Sequence, residues 1–357
     1  MKKKVTIIVV TFIVFSLILS NLLLIPHPKQ TESVAFAASL GPGWNLGNTL
    51  EAWARPEPDN TETCWGNPIT SKALIDYLKD CGFKTIRIPI TWFQHLDEEG
   101  QIEAEWLQRV AEVINYVLDN DMYAIINIQH DDQDWLITDK EHEEMVCEKI
   151  SNLWAQIADY FKDYDHRLIF ETMNEPRTVG AQWEWGGDDE GRRIVNELNA
   201  LALSAIRNSG GKNTDRFVFI TDYAASDLPE NYEALEVPDD EHIIVALHYY
   251  PGTAHQSEFY DCEKSLGIKA RIDIYSKMRS FYSRFAKKGI GVCISEFGWT
   301  DREHIDNLSQ KASYLVKTAK HFGFCSFVWD NGESFGLIDR NKLKVLYPDY
   351  LEAITNT

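Results

Sequence analysis

From residue 40 onward the chain alternates between short apolar runs and longer amphipathic stretches, eight times over, at intervals of about forty residues. The apolar runs cover 43–47, 84–88, 122–128, 167–172, 216–221, 242–247, 290–295 and 324–329. They are apolar almost throughout instead of at alternate positions, as strands covered on both faces must be. Helical spacing marks 71–81, 103–119, 141–163, 189–209, 268–288 and 307–322, with a last short helix expected over 346–354. In 103–119 the periodic positions are Trp106, Leu107, Val110, Val113, Ile114 and Val117, one face of a helix. Strand–helix repeats build a parallel sheet, and eight of them close into a single-domain (β/α)8 barrel. A doubly wound open sheet competes, but no Gly-rich phosphate loop follows the first strand.

The chain opens Met1-Lys2-Lys3-Lys4, and residues 5–25 are apolar except for five polar positions. Ala35-Phe36-Ala37 then supplies the small-residue pattern of a cleavage site. This predicts a signal peptide over 1–37 and a catalytic domain over 38–357. The apolar run approaches the ~20 residues that span a bilayer, so an uncleaved N-terminal anchor is the alternative. Both place the domain outside the cytoplasm, secreted or displayed. No Cys follows the apolar run until Cys64, which argues against a lipoprotein anchor.

The whole chain carries a formal charge of −20. The first 37 residues hold four Lys and one Glu, so the remainder is more acidic still. Such acidity argues against nucleic acid or an anionic membrane surface as partner and suits a soluble protein acting on a neutral substrate. Eleven Trp, fifteen Tyr and seventeen Phe exceed what a core usually takes, which fits stacking on sugar faces. Six Cys occur without CxxC pairs or His at zinc-finger offsets, so no structural metal is expected. Cys293 and Cys325, inside apolar runs, read as small buried hydrophobes, and no disulfide is expected.

In such a barrel the functional side chains sit where strands end. Those positions hold Asn45, Arg87, Gln129, His130, Asn174, Glu175, His248, Tyr250, Glu296 and Trp329. Two stretches stand out, Met173-Asn174-Glu175-Pro176 and Ile294-Ser295-Glu296-Phe297-Gly298. A carboxylate closing a buried strand is costly unless hydrogen-bonded, and either glutamate alone reads as a satisfied strand end. Two on one mouth are the minimal equipment of a retaining glycosidase, with carboxyl groups about 5–5.5 Å apart. Arg87 lies between Ile86 and Ile88 before Pro89, where a charge needs a partner; its rigid fork suits a carboxylate.

Six stretches carry a resemblance: Gly43-Trp44-Asn45-Leu46-Gly47-Asn48-Thr49-Leu50, Ile86-Arg87-Ile88-Pro89, Ile169-Phe170-Glu171-Thr172-Met173-Asn174-Glu175-Pro176-Arg177, His248-Tyr249-Tyr250, Ser295-Glu296-Phe297-Gly298 and Phe327-Val328-Trp329-Asp330-Asn331-Gly332. In this order they resemble the family 5 glycoside hydrolases of the cellulase type, especially the endoglucanase-like subfamily that includes xyloglucanases and mixed-linkage glucanases. The resemblance implies a secreted, monomeric, cofactor-free endo-β-1,4-glucanase working by double displacement on a β-glucan. It makes Glu175 the acid and base, expected in surroundings that raise its pKa, and Glu296 the nucleophile. It further implies that Asn174 bonds the sugar 2-OH, Tyr250 touches the nucleophile, His248 supports Glu175, and Trp329 underlies the sugar at the cleavage point.

One position departs. The family ends its third strand in His, and close relatives have two in succession, whereas this chain has Gln129-His130. Gln can bond hydroxyls but cannot carry a proton. Loop tryptophans 53, 65, 135, 183, 185 and 299 are further candidates to line sugar subsites, with Trp65 and Trp135 foremost because their loops follow the first and third strands. The competing functions are a β-mannanase or xylanase on the same scaffold, and a non-catalytic glucan-binding relative. A metal-dependent hydrolase using His130, Asp131, Asp132 and His248 is a third, though no metal site is expected.

Overall fold

The computed structural model describes residues 27–251, 266–300 and 305–356. Eight parallel strands close into a barrel in sequence order, each hydrogen-bonded to the next and β8 to β1. They are β1 (Gly43–Leu46), β2 (Thr85–Ile88), β3 (Tyr123–Ile126), β4 (Leu168–Glu171), β5 (Val218–Thr221), β6 (Ile243–His248), β7 (Gly291–Phe297) and β8 (Cys325–Asp330). Between them run α2 (Lys72–Asp80), α3 (Ala104–Leu118), α4 (Glu143–Phe161), α5 (Asp189–Asn208), the short α6 (Pro229–Ala234), α7 (Ile268–Arg284) and α8 (Ile305–His321). A two-stranded hairpin of β9 (Ile338–Asp339) and β10 (Lys344–Val345) precedes α9 (Pro348–Thr355). The expected elements are all present within a few residues; α6 and the hairpin were not foreseen.

The strands read as continuous apolar runs because their alternate residues feed two separate cores. Outward residues such as Trp44, Ile86, Ile126, Phe170, Val245 and Ile294 pack against the helices. Inward residues Ile125, Ile169, Phe219, Ile244, Ala246, Cys293, Cys325 and Phe327 fill the barrel. Gly43 is required there: a Cβ would stand 2.0 Å from the Phe327 ring. Above this apolar plug the next inward positions are polar: Asn45, Arg87, Asn127 and Glu171, all buried.

The segment ahead of β1 also packs against the barrel. The apolar run 5–25 lies outside the described residues, but 31–39 belong to the folded domain. Helix α1 (Glu32–Ser39) is capped by the Thr31 hydroxyl, which accepts from Val34 N, and plugs the floor of the barrel. Ala37 and Leu40 join the inner core, and Phe36 stacks on Phe217 with ring centroids 3.8 Å apart. Ser33 Oγ donates to Ile243 O and accepts from Gly291 N at 2.7 Å, tying α1 to β6 and β7. A cut between Ala37 and Ala38 would sever this helix. Ala37 is buried in this packing, whereas Ala35 and Ala38 are exposed.

Candidate active site

Arg87 organises the mouth. Its Nε donates to Glu171 Oε2 at 2.6 Å; Nη1 donates to Glu296 Oε1 at 2.7 Å and Asn45 Oδ1 at 2.9 Å; Nη2 donates to Asn174 Oδ1 at 2.8 Å. Burial works against the guanidinium's charge, but the two carboxylates outweigh it and hold Arg87 protonated above its ordinary range. Asn45 is fully buried, and its Nδ2 donates to Ser295 O and Val328 O. It braces Arg87 from beneath the mouth. Asn174 spends its carbonyl on Arg87, which leaves its NH2 as the group to offer a sugar hydroxyl.

Glu296 reaches the mouth through an irregularity. Along β7, Cys293 points inward and Ile294 outward, so strict alternation would turn position 296 away from the barrel. The pairing of β7 shifts on both sides, between Leu247 and His248 on β6 and between Ile294 and Phe297 against β8. The extra residue in this β-bulge lets Ser295 and Glu296 both face in, a usual role for bulges beside active sites. Glu296 Oε2 then accepts from Tyr250 Oη at 2.7 Å. Burial, and then the nearby Glu296 charge, push the Tyr250 phenol well above its ordinary value, so it remains a donor.

Glu175 lies past the end of β4. Its Oε1 accepts from His248 Nδ1 at 2.7 Å, while His248 Nε2 stands 3.6 Å from Glu296 Oε1. Burial disfavours charge on His248, but Glu296 and Glu175 outweigh it and raise its pKa. One imidazole thus spans both carboxyl groups. An oxygen of Glu175, one of Glu296 and a ring nitrogen of His248 all lie within 4.8 Å of one another. That spacing agrees with the roughly 5 Å of retaining enzymes and is well short of the roughly 6.5–9.5 Å needed for an intervening water.

Gln129 Oε1 accepts from Asn127 Nδ2 at 2.7 Å, and the same Asn127 nitrogen donates to Glu171 Oε2 at 3.1 Å. Gln129 is therefore oriented through the network that holds Arg87, with its NH2 left as donor. Losing one positioning hydrogen bond typically costs about 0.5–1.5 kcal/mol, so Gln129→His is expected to raise kcat/KM on glucan about two- to tenfold. An unchanged or lower value would show that glutamine is the better partner here.

His130 stacks obliquely on Trp65, centroids 5.6 Å apart, and removal from water holds it below the ordinary imidazole range, hence neutral. Trp65 Nε1 donates to Trp53 O, and its half-buried ring keeps it a subsite candidate. Trp329 ends β8 beside Asn45. Its indole lies so close to Gly47 that a Cβ there would meet Cζ2 at 2.8 Å. Asp330 anchors the following loop, accepting from Trp44 Nε1, Leu337 N and Ile338 N.

Two tryptophans are corrected. Trp135 is buried in the outer core with its Nε1 donating to Asp131 Oδ1, and Trp299 is buried with its Nε1 donating to Pro251 O. Neither ring is available to a sugar. The metal-ligand set of His130, Asp131, Asp132 and His248 does not converge among the described residues: Asp131 bonds Trp92 N and Trp135, and Asp132 pairs with Arg177. Sequence reasoning gave no role to Glu171, Asn127 or Arg177 and weighed Asp132 only as a metal ligand; their placement depends on which strands become neighbours.

The family model described as cellulase, glycosyl hydrolase family 5, matches residues 51–334. Endoglucanase A of Clostridium longisporum is 38% identical over 362 residues, covering 95% of this chain and 69% of that protein. A GH5-4 broad specificity endoglucanase from Clostridium acetobutylicum superposes with a TM-score of 0.85 at 37% identity, covering 92% of this chain and 100% of that one. A xyloglucan-specific endo-β-1,4-glucanase from a metagenomic library, solved with cellotriose, gives 0.85 at 37% identity, covering 91% and 98%. Barrel, paired carboxyl groups and matched length agree, and the chain belongs to glycosyl hydrolase family 5, the cellulase family.

Proposed function

We propose that this chain is a retaining endo-β-1,4-glucanase in which Glu175 is acid and base and Glu296 the nucleophile. The observation that carries the reading is the sub-5 Å approach of the two carboxyl groups across a shared imidazole. Glu296, bonded by the Arg87 guanidinium and the Tyr250 phenol, attacks the anomeric carbon while Glu175 gives its proton to the departing glycosidic oxygen. Glu175 then takes a proton from water, whose oxygen displaces Glu296 from the glycosyl ester. Two inversions return the β configuration. Asn174 bonds the 2-OH, Gln129 a neighbouring hydroxyl, and Trp329 supports the sugar face. The two catalytic carboxyl groups read neither C2 stereochemistry nor a C6 arm, so mannan and xylan remain rival substrates. Cellulose chains, xyloglucan and mixed-linkage glucan are favoured, in keeping with the broad-specificity and xyloglucan-specific relatives.

No described helix is long and apolar enough to cross a membrane. The basic start and apolar run direct the domain out of the cytoplasm as a monomer, with any processing upstream of Thr31. Reducing-sugar release from a panel of soluble glucans, mannan and xylan tests the substrate class. Glu175→Ala is expected to lose at least a thousandfold on the preferred polysaccharide, about 4 kcal/mol of barrel-mouth chemistry. An α-configured first product would refute the double displacement, and glucan binding with no product from the parent would favour the non-catalytic reading.

A further inference from the structure

Beside Glu175 sits a permanent cation that the double displacement does not explain. Arg177 Nη1 lies 3.5 Å from Glu175 Oε2 and donates to the Glu175 backbone carbonyl at 3.0 Å. A positive charge there favours the carboxylate form of Glu175, which is the wrong form for an acid that must start protonated. The same nitrogen lies 2.7 Å from Asp132 Oδ2. Arg177 Nε donates to Glu184 Oε1 at 3.2 Å, and the guanidinium sits 4.3 Å over the Trp185 ring. The fork is thereby fixed on three sides and cannot swing toward or away from Glu175.

We propose that Arg177 and Asp132 act as a positioning pair for Glu175, Arg177 fixing the carboxyl group's place and Asp132 cancelling the charge that would otherwise strip its proton. The inference rests on Glu175 being the acid and base. Packing alone does not account for Asp132. It is buried with its Oδ1 lacking any hydrogen-bond partner, and burial raises its carboxyl to about 6 against the pull of Arg177. A buried carboxylate with a vacant acceptor is costly, and the one cation it neutralises is the one that touches Glu175.

Other charged or titratable groups surround Glu175 among the described residues. His248 and Tyr250 come from the end of β6, Glu296 from β7, His130 from the loop after β3, Glu184 from the loop after β4, and Arg87 on β2 stands behind Asn174. His248 bridges the two carboxyl groups and His130 is neutral, whereas Arg87 is already matched by Glu171 and Glu296. Arg177 is the cation whose balance depends on Asp132.

The test is the pH profile of kcat/KM on a soluble glucan, whose alkaline limb reports loss of the acid's proton. Asp132→Asn leaves Arg177 with Glu184 as its remaining anionic partner besides Glu175 and is expected to move that limb down by about one pH unit. Arg177→Gln is expected to move it up, by less, because Asp132 takes up a proton once its cation is gone. On dinitrophenyl β-cellobioside, whose leaving group needs no proton, both variants are expected to stay within about threefold of the parent. A limb that stays put, or moves the same way in both, overturns the proposal, as does an equal loss on the activated substrate. If Asp132→Asn does not fold, Arg177→Gln alone decides, a downward shift being fatal. Glu175→Gln separates this from the underlying reading. If its alkaline limb persists, Glu175 is not the acid; if it vanishes while Asp132→Asn leaves the limb unmoved, the pair alone is wrong.

Discussion

Glu296→Ala is expected to lower kcat on the preferred glucan by a factor on the order of 10⁴ to 10⁶, the scale of removing a covalent nucleophile. The loss is expected on dinitrophenyl β-cellobioside as well, because no leaving group substitutes for the attacking carboxylate. Added azide should partly restore turnover on that substrate by entering the vacated space. It would attack directly and yield the α-configured glycosyl azide, the inverse of the normal outcome. The barrel should survive, since Arg87 keeps Glu171, Asn45 and Asn174 as partners. Retention of more than a tenth of parental kcat in a variant with an unchanged melting curve would remove Glu296 from the nucleophile's role.

Arg87 carries the second large effect, and it divides into two measurements. Arg87→Lys keeps the charge but replaces a planar fork by a single ammonium, which cannot span Glu171, Glu296, Asn45 and Asn174 together. Misplacing a nucleophile by about 1 Å is worth about a hundredfold, so kcat is expected to fall about 10²- to 10³-fold with modest change in KM. Arg87→Met removes the charge and leaves two carboxylates facing each other in a buried layer. Breaking a buried ion pair costs about 3–5 kcal/mol, and a melting temperature lower by about 10 °C is expected. Arg87→Met melting with the parent would mean that Glu171 finds another cation or a proton without cost.

The barrel and most of the mouth were legible in the chain for the same reason. Strands buried on both faces leave no polar position to hide in, so a polar residue at a strand's end, such as Arg87, Glu175 or Glu296, declares itself. Residues that act from the barrel's interior were harder to see. Glu171 sits inside the run 167–172 and Asn127 inside 122–128, and only the closing of β2 against β3 and β4 shows that both serve Arg87. The parity of Glu296 was likewise hidden, because the bulge at Ser295 leaves no mark in composition. Trp135 and Trp299 misled because an indole flanked by polar neighbours reads as exposed, whereas each N–H had found a buried acceptor.

The floor itself links the two extremes of the chain. Thr31 Oγ1 donates to Gly289 O, and Ser33 bonds Ile243 and Gly291, more than two hundred residues downstream. The earliest part of the domain to be synthesised therefore cannot complete its docking until β6 and β7 exist. Contacts of such long sequence separation form late and slowly. A nascent polypeptide of this kind seals the bottom of its barrel only when nearly all of it has been made.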